Sequence, residues 1–296
     1  MLDYLFLDHS HHKRAVFIEL AITDRQIETL RSSGFKMDII EPNLKEFYES
    51  RSNRRARWHG NFKLGSMGGN YTLSELEAEL DTLHFLYPNI VSKKMSIGQS
   101  IEGRDIWAIK VSDNVDINEN VTVELEPLVL YTGLTHAREP LSMMNLIYFI
   151  RHLCENYNIN KLETDLVNNR EMWFEPCVNP DGYVYNERIA PNGGGMHRKN
   201  RKDTGCGEGT TRGVDINRNF GFNWGTNDLG SSPEPCSPIY RGESAFSEPE
   251  TSVLKDFMLN KNFRNVLHYH TYTNLLIHPY GDGSYPSGID FSTYKD

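Results

Sequence analysis

A histidine and a glutamate three residues apart, in LYTGLTHAREPLSMM (Leu130 to Met144), are of types and spacing that suit chemistry. EPLVLYTG before them reads as a buried strand, and EPLSMMNLIYFIRHL after them as a helix. His136 and Glu139 therefore fall on a strand-to-helix turn, where open α/β sheets collect ligands. An imidazole and a carboxylate so placed suit a metal ion. The plain alternative is a polar turn whose glutamate caps the helix N-terminus. A hydrolytic zinc site needs three protein ligands and one open position, so a third donor must come from another strand end. His268 and His270 in VLHYHTYTNLLIHPYG both qualify, because they alternate along a strand and share one face. His270, nearer the carboxyl end of that strand, is the better placed for a cleft.

The elements that must hold these residues can be read outward from them. At the start, RAVFIEL reads as a strand, TDRQIETLRSSG as a helix capped by Thr23 or Asp24 and stopped at Gly34, and FKMDII as extended. NLKEFYESRSNRRAR follows as a polar helix that runs into a basic stretch, Arg51 to Gly60. That stretch is an exposed linker or a cleavage site. A second start signal is GGNYTLSELEAELDTLHFLYP, where Thr72 and Glu75 fit a capping box. Leu73, Leu76, Leu80, Leu83 and Tyr87 share one face of that helix. IVSKKMSIG and RDIWAIKVS read as two strands joined through Gly98–Gly103. The strand before His136, a helix over 141–153 and a strand over 171–179 come next, then a glycine-rich region over 191–242. A helix over 248–260 leads to the strands FRNVLHYH and NLLIHPYG. Strands alternating with helices predict a largely parallel sheet covered on both faces. In NPDGY, Pro180 and Gly182 read as turn chemistry at a strand end.

Composition excludes some functions. The 296 residues carry a net charge of -9, against a general nucleic-acid binder. No stretch approaches the roughly eighteen apolar residues of a membrane span. The beginning, MLDYLFLDHSHHKR, shows no leader for secretion, which predicts a cytosolic protein or a chain that starts downstream of its true beginning. Cys154 and Cys177 lie in apolar elements and read as buried thiols. Cys206 and Cys236 share one loop-rich region and could pair or stay free; a bond would imply an oxidising compartment.

THAREP, NPDGYVY, HRKNR, GVDINRNFGFNW, AFSEPET and HTYTNLLIHPYG occur in this order from about residue 66 onward. Together they resemble the zinc metallocarboxypeptidase family, exopeptidases that remove C-terminal residues. The resemblance implies a three-layer α/β/α catalytic domain over 66–296 with a mostly parallel mixed sheet, preceded over 1–58 by a small α/β prosegment-like unit. It implies one Zn2+ per chain held by His136, Glu139 and His270, which leaves His268 to packing or to support of a ligand. It implies that Arg198 polarises the scissile carbonyl, that Asn217 and Arg218 grip the terminal carboxylate, and that Tyr272 belongs to a subsite. The residue types suit those tasks: a guanidinium stabilises an oxyanion without a change of protonation and binds a carboxylate in a planar fork. The substrate would be peptide or protein C-termini, and the protein a secreted monomer with a Cys206–Cys236 disulfide and no nucleic-acid or membrane partner. Its first unit would shield the cleft until cut within the basic stretch.

The family's general-base glutamate, on a late strand beyond the last zinc ligand, has no counterpart here. The last glutamate is Glu250, in a helix start, and Asp282, Asp290 and Asp296 lie in no matching motif. The substrate-capping tyrosine and most of the side-chain pocket are also without counterparts, and GIDFSTYKD shows no terminal helix. The expectation is a carboxypeptidase precursor lacking its C-terminal part and inactive as it stands. The alternatives are a non-catalytic zinc- or carboxylate-binding relative and a zinc-dependent amino-acid deacylase.

Overall fold

The strand EMWFE shows how the layers arise. Side chains alternate across a strand, so Met172 and Phe174 face one side and Trp173 the other, and all five residues are buried. Both faces must then be covered. The computed structural model describes residues 22–40, 42–43, 46, 62–115, 126–272 and 275–295. The chain divides into two compact units, Met1–Arg51 and Ser52–Asp296.

In the first unit, α1 (Asp24–Ser32) starts at Thr23, whose N–H donates to Gln26 Oε1 at 2.8 Å, and ends before Gly34 with φ +88°. Residues 35–40, expected as extended, lie in no strand. The predicted strand at 14–20, most of the predicted polar helix and the basic stretch lie outside the described residues.

The second unit opens with α2 (Leu73–Leu86), held by the capping box read from the sequence. Thr72 Oγ1 accepts from Glu75 N–H at 3.2 Å, and Glu75 Oε2 accepts from Thr72 N–H at 2.8 Å. Then follow β1 (Met95–Gln99), β2 (Asp105–Val111), β3 (Leu128–Thr132), α3 (Pro140–Asn156), α4 (Lys161–Asn168), β4 (Glu171–Glu175), α5 (Pro180–Ile189), α6 (Pro249–Lys261), β5 (Asn265–His268) and α7 (Gly288–Lys295). The sheet order is β1-β2-β4-β3-β5. It is mixed, with β3 parallel to β4 and β5, while the β1–β2 and β2–β4 pairs are antiparallel. The short link through Gly98–Gly103 allows β1 and β2 no other pairing.

Ile109, Val111, Met172 and Phe174 meet Leu76, Leu80 and Leu83 of α2 and Leu146, Ile147 and Ile150 of α3 on one face. On the other, Ala108, Leu130 and Trp173 meet Leu254 and Phe257 of α6. Each buried leucine contributes about 1.5–3 kcal/mol. Helices on both faces of one sheet give the expected three layers.

Four local readings change. NPDGY is the first turn of α5: Asn179 is its N-cap, accepting from Gly182 N–H at 3.0 Å, and Pro180 takes the first position, where a missing N–H costs nothing. Helix α4 was not anticipated; of its eight residues only Glu163 and Val167 are buried, too few for a periodic pattern. Residues 275–278 of NLLIHPYG form no strand; Leu276 is 93% and Ile277 80% exposed, with no neighbour among the described residues to pair with. Within GIDFSTYKD, read as having no terminal helix, Gly288–Lys295 form α7.

At the start of α6, Glu250 is fully buried, accepting from Asn200 Nδ2 and Ile101 N–H, both at 3.3 Å. Burial outweighs these bonds and pushes its carboxyl up to about 7 from 4.5. The folded form therefore binds the proton more tightly than the unfolded form. This contribution to stability is whole below pH 4.5 and is lost as pH rises through 7. Glu250→Gln should match the parent at pH 4.5 and exceed it at pH 8 by on the order of 3 kcal/mol in denaturant unfolding.

Candidate metal centre and its polar surround

The turn after β3 is tight and internally braced. Leu134 is buried in the left-handed region, φ 48°, where a side chain costs roughly 1–2 kcal/mol. Ser142, at the start of α3, spans the turn: its hydroxyl accepts from Leu134 N–H at 2.9 Å and donates to Glu139 O at 2.7 Å. This fixes the path that brings His136 and Glu139 back over the strand end. β5 pairs with β3 up to Thr132↔His268, and Tyr269 N–H donates to Thr132 O at 2.8 Å. His270 then leaves the strand directly beside the turn.

His136, Glu139 and His270 offer donor atoms that all lie within 4.8 Å of one another. Glu139 Oε1 is 2.8 Å from His136 Nδ1, its Oε2 is 2.9 Å from His270 Nδ1, and the two Nδ1 atoms are 3.1 Å apart. Two imidazole nitrogens this close share either a proton, as an N–H···N hydrogen bond, or a cation. A tetrahedral ion with bonds of about 2.0–2.1 Å places its ligands about 3.3 Å apart, so the donor set fits zinc in type and spacing. Burial would raise the Glu139 carboxyl, but the two imidazoles hold it down to about 2. His268, one of the two histidines weighed as a third donor, turns to Thr132 Oγ1 at 2.7 Å, outside the cluster.

Arg198 reaches the same place from another loop, through two asparagines. Asn186 Nδ2 donates to Ala137 O at 2.9 Å and to His197 O at 2.8 Å, and its Oδ1 accepts from His197 N–H at 2.9 Å. Asn179 N–H donates to Leu134 O at 3.1 Å, and Ala137 N–H to Arg198 O at 3.1 Å. Asn179 and Asn186, seven apart across α5, share a helix face and clamp the two loops together.

A second close approach brings in GVDINRN. Gly213 has φ +98°, and a Cβ there would lie 2.0 Å from Asn200 O, so only glycine lets these backbones meet. Asn200 N–H donates to Val214 O at 3.0 Å, and Asn200 Oδ1 accepts from Val214 N–H at 2.8 Å. Asp215 then lies fully buried between the centre and the arginines. Its Oδ2 accepts from Arg198 Nε at 3.0 Å and lies 2.9 Å from Nη2, while Oδ1 stands 3.3 Å from His136 Nε2. Burial would raise its carboxyl, but His136, Arg198 and Arg218 together hold it well below the usual range.

Asp215 also caps the short 3-10 helix Ile216–Arg218, with Oδ1 accepting from Asn217 N–H at 3.1 Å. Asn217 and Arg218 are half-buried; Arg218 Nη1 donates to Asn217 O at 3.0 Å, and its buried Nε has no partner among the described residues. Tyr272, two residues past His270, is 54% exposed. Cys206 and Cys236 are bonded, with Cα atoms 5.4 Å apart, and close a loop around Asp215, Asn217 and Arg218. The buried Lys199 secures that loop, donating to Pro235 O at 3.3 Å and Ser237 O at 3.0 Å; burial lowers its ammonium to about 8. Cys154 and Cys177 are free and buried, as expected.

Sequence reasoning missed Asp215, Asn179, Asn186 and Ser142. Asp215 stood inside a recognised motif beside Asn217, and the seven-residue spacing of the asparagines was the available signal for the clamp.

The profile of the family described as zinc carboxypeptidase matches residues 76–294. A zinc carboxypeptidase of Saccharothrix mutabilis subsp. capreolus is 34% identical over 219 residues, 72% of this chain and 47% of the relative. Carboxypeptidase A1 of Bos taurus is 30% identical over 244 residues, 82% of this chain and 53% of the relative. Among solved structures, the carboxypeptidase A from Helicoverpa armigera superimposes with a TM-score of 0.69 at 32% identity, over 89% of this chain and 62% of that one. The chain spans about half the length of the curated relatives it matches.

Asp215→Asn keeps the shape of the side chain but removes the counter-charge of Arg198 and the carboxylate beside His136 Nε2. Denaturant unfolding should show a loss of about 3–5 kcal/mol. Competition with a fluorescent chelator should show zinc affinity reduced roughly 10–100-fold.

Proposed function

Since the chain belongs to the zinc carboxypeptidase family, we propose that it supplies the metal centre and carboxylate-recognition part of an enzyme that releases residues from the C-termini of peptides and proteins. The observation that carries this reading is the convergence of His136, Glu139 and His270 beside Asp215 and Arg198. His136, Glu139 and His270 are the zinc ligands. Zinc, when bound, supplies Lewis acidity and a water of lowered pKa. Arg198 points Nε and Nη2 at Asp215, which fixes the plane of its guanidinium and leaves Nη1 for the scissile carbonyl. Arg218 and Asn217, both half-buried, bind the terminal carboxylate; a guanidinium and a neighbouring amide are donors of the kind that group requires. Tyr272, more than half exposed beside His270, belongs to a substrate subsite.

Residues 66–296 belong to the catalytic domain, and residues 1–58 are a prosegment-like unit separated from it when the basic stretch is cut. The Cys206–Cys236 bond supports a secreted protein, because such bonds persist in oxidising compartments. Among the described residues no helix is long and apolar enough to cross a membrane. The protein acts as a monomer.

One equivalent of zinc is expected in the purified protein, and His136→Ala should lose it; unchanged zinc by mass spectrometry would rule out the ligand assignment. The enzyme isolated from its native source should free single C-terminal amino acids from peptides. Acyl groups freed from amino acids would point instead to a deacylase, and internal fragments would overturn both readings. Arg218→Ala should lower kcat/KM roughly hundredfold on such peptides, the loss of a charge-assisted pair of about 3 kcal/mol.

A further inference from the structure

Asn70-Tyr71-Thr72 has the form Asn-x-Thr, with x other than proline, that oligosaccharide transfer requires. It lies in the turn just before α2, and the fold leaves the side chain of Asn70 without a structural task. The backbone is satisfied without it: Asn70 N–H donates to Met67 O at 3.1 Å, and Asn70 O accepts from Met67 N–H at 3.0 Å. The one side-chain hydrogen bond of Asn70 among the described residues, Nδ2 to Met67 O, is 3.4 Å, near the limit of a hydrogen bond. Asn70 is partly exposed; on the turn before it, Gly68 packs against Asn192 O, while the adjacent Gly69 presents no side chain to block the way out. A Cβ on Gly69 would meet only Leu64 Cδ1, at 4.0 Å. The Cys206–Cys236 bond is an independent sign of the oxidising compartment in which this modification is made.

From these observations we infer that Asn70 is an N-glycosylation site. The sugar donor is an oligosaccharide carried on a polyprenyl pyrophosphate. Asn70 Nδ2 bonds to the anomeric carbon, the bond from that carbon to the pyrophosphate oxygen breaks, the lipid pyrophosphate leaves, and Nδ2 gives up one proton. Transfer precedes folding, while the Thr72 hydroxyl is free; on folding that hydroxyl becomes the cap of α2 and the sugar projects from the turn. This inference rests on the secretory route proposed above.

The test is expression of the whole chain behind a secretory leader in eukaryotic cells, with the secreted and the endoplasmic-reticulum forms both collected. Glycosidase release in heavy-oxygen water, followed by peptide mapping, marks each occupied asparagine as labelled aspartate. Asn70 should be marked. Asn70→Gln should remove one glycan from the intact mass, while Thr72→Ser, which keeps both acceptor motif and cap, should retain it. Plain asparagine at position 70 in both forms overturns the inference, whether or not Asn120 of Asn120-Val121-Thr122, outside the described residues, carries sugar. Zinc content of the same samples reports on the metal centre alone, so either reading can fail without the other.

Discussion

Asp215 has no exposed surface, and a carboxylate taken out of water stays ionised only against positive charge. That constraint organises the site. Arg198 supplies one positive group at 2.9–3.0 Å, and His136 stands 3.3 Å away on the other oxygen. An ion at His136, Glu139 and His270 would add charge on the far side of the imidazole. The electrostatics of arginine, carboxylate and metal centre are thus coupled through one side chain, and its loss would strand a buried charge on each side.

Charge alone does not bring the loops into register. Neutral hubs do that: Asn186 joins the His136 turn to the Arg198 segment, Asn200 joins that segment to Val214, and Ser142 closes the turn on itself. Each bonds backbone groups that would otherwise be buried and unpaired, so each replaces a penalty with a fixed distance. The disulfide and Lys199 then hold the far end of the loop that carries Asp215, Asn217 and Arg218. Positioning here comes chiefly from side chain to main chain bonds, and the Arg198–Asp215 pair adds a charged link between the same loops.

Much of this was legible in the sequence because local rules carried it. Thr72 and Glu75 announced α2 through capping chemistry, and the leucines at helical spacing announced its buried face. His136 and Glu139 stood at a strand-to-helix junction visible from periodicity, and the Cys206–Cys236 pairing followed from the family resemblance. What stayed hidden depends on partners distant in sequence. The role of Asn186 depends on Ala137 and His197, the ionisation of Asp215 depends on Arg198 and His136, and NLLIHPYG has strand composition but no partner strand among the described residues. NPDGY was misread for a different reason: proline and asparagine serve turns and helix starts alike, and only the chain that follows decides.

The pairing of β3 with β5 carries a consequence for how such a chain reaches its native state. His136 and His270 meet at 3.1 Å across a sequence separation of 134. Closing that span costs chain entropy that nearby contacts do not. Until β5 docks, the turn after β3 presents only His136 and Glu139, a two-donor chelate with weak hold on an ion. Once it docks, His270 joins them, and the free energy of an ion bound to all three would become free energy of the closed sheet. An ion held by all three donors would thereby favour chains whose long-range pairing is correct.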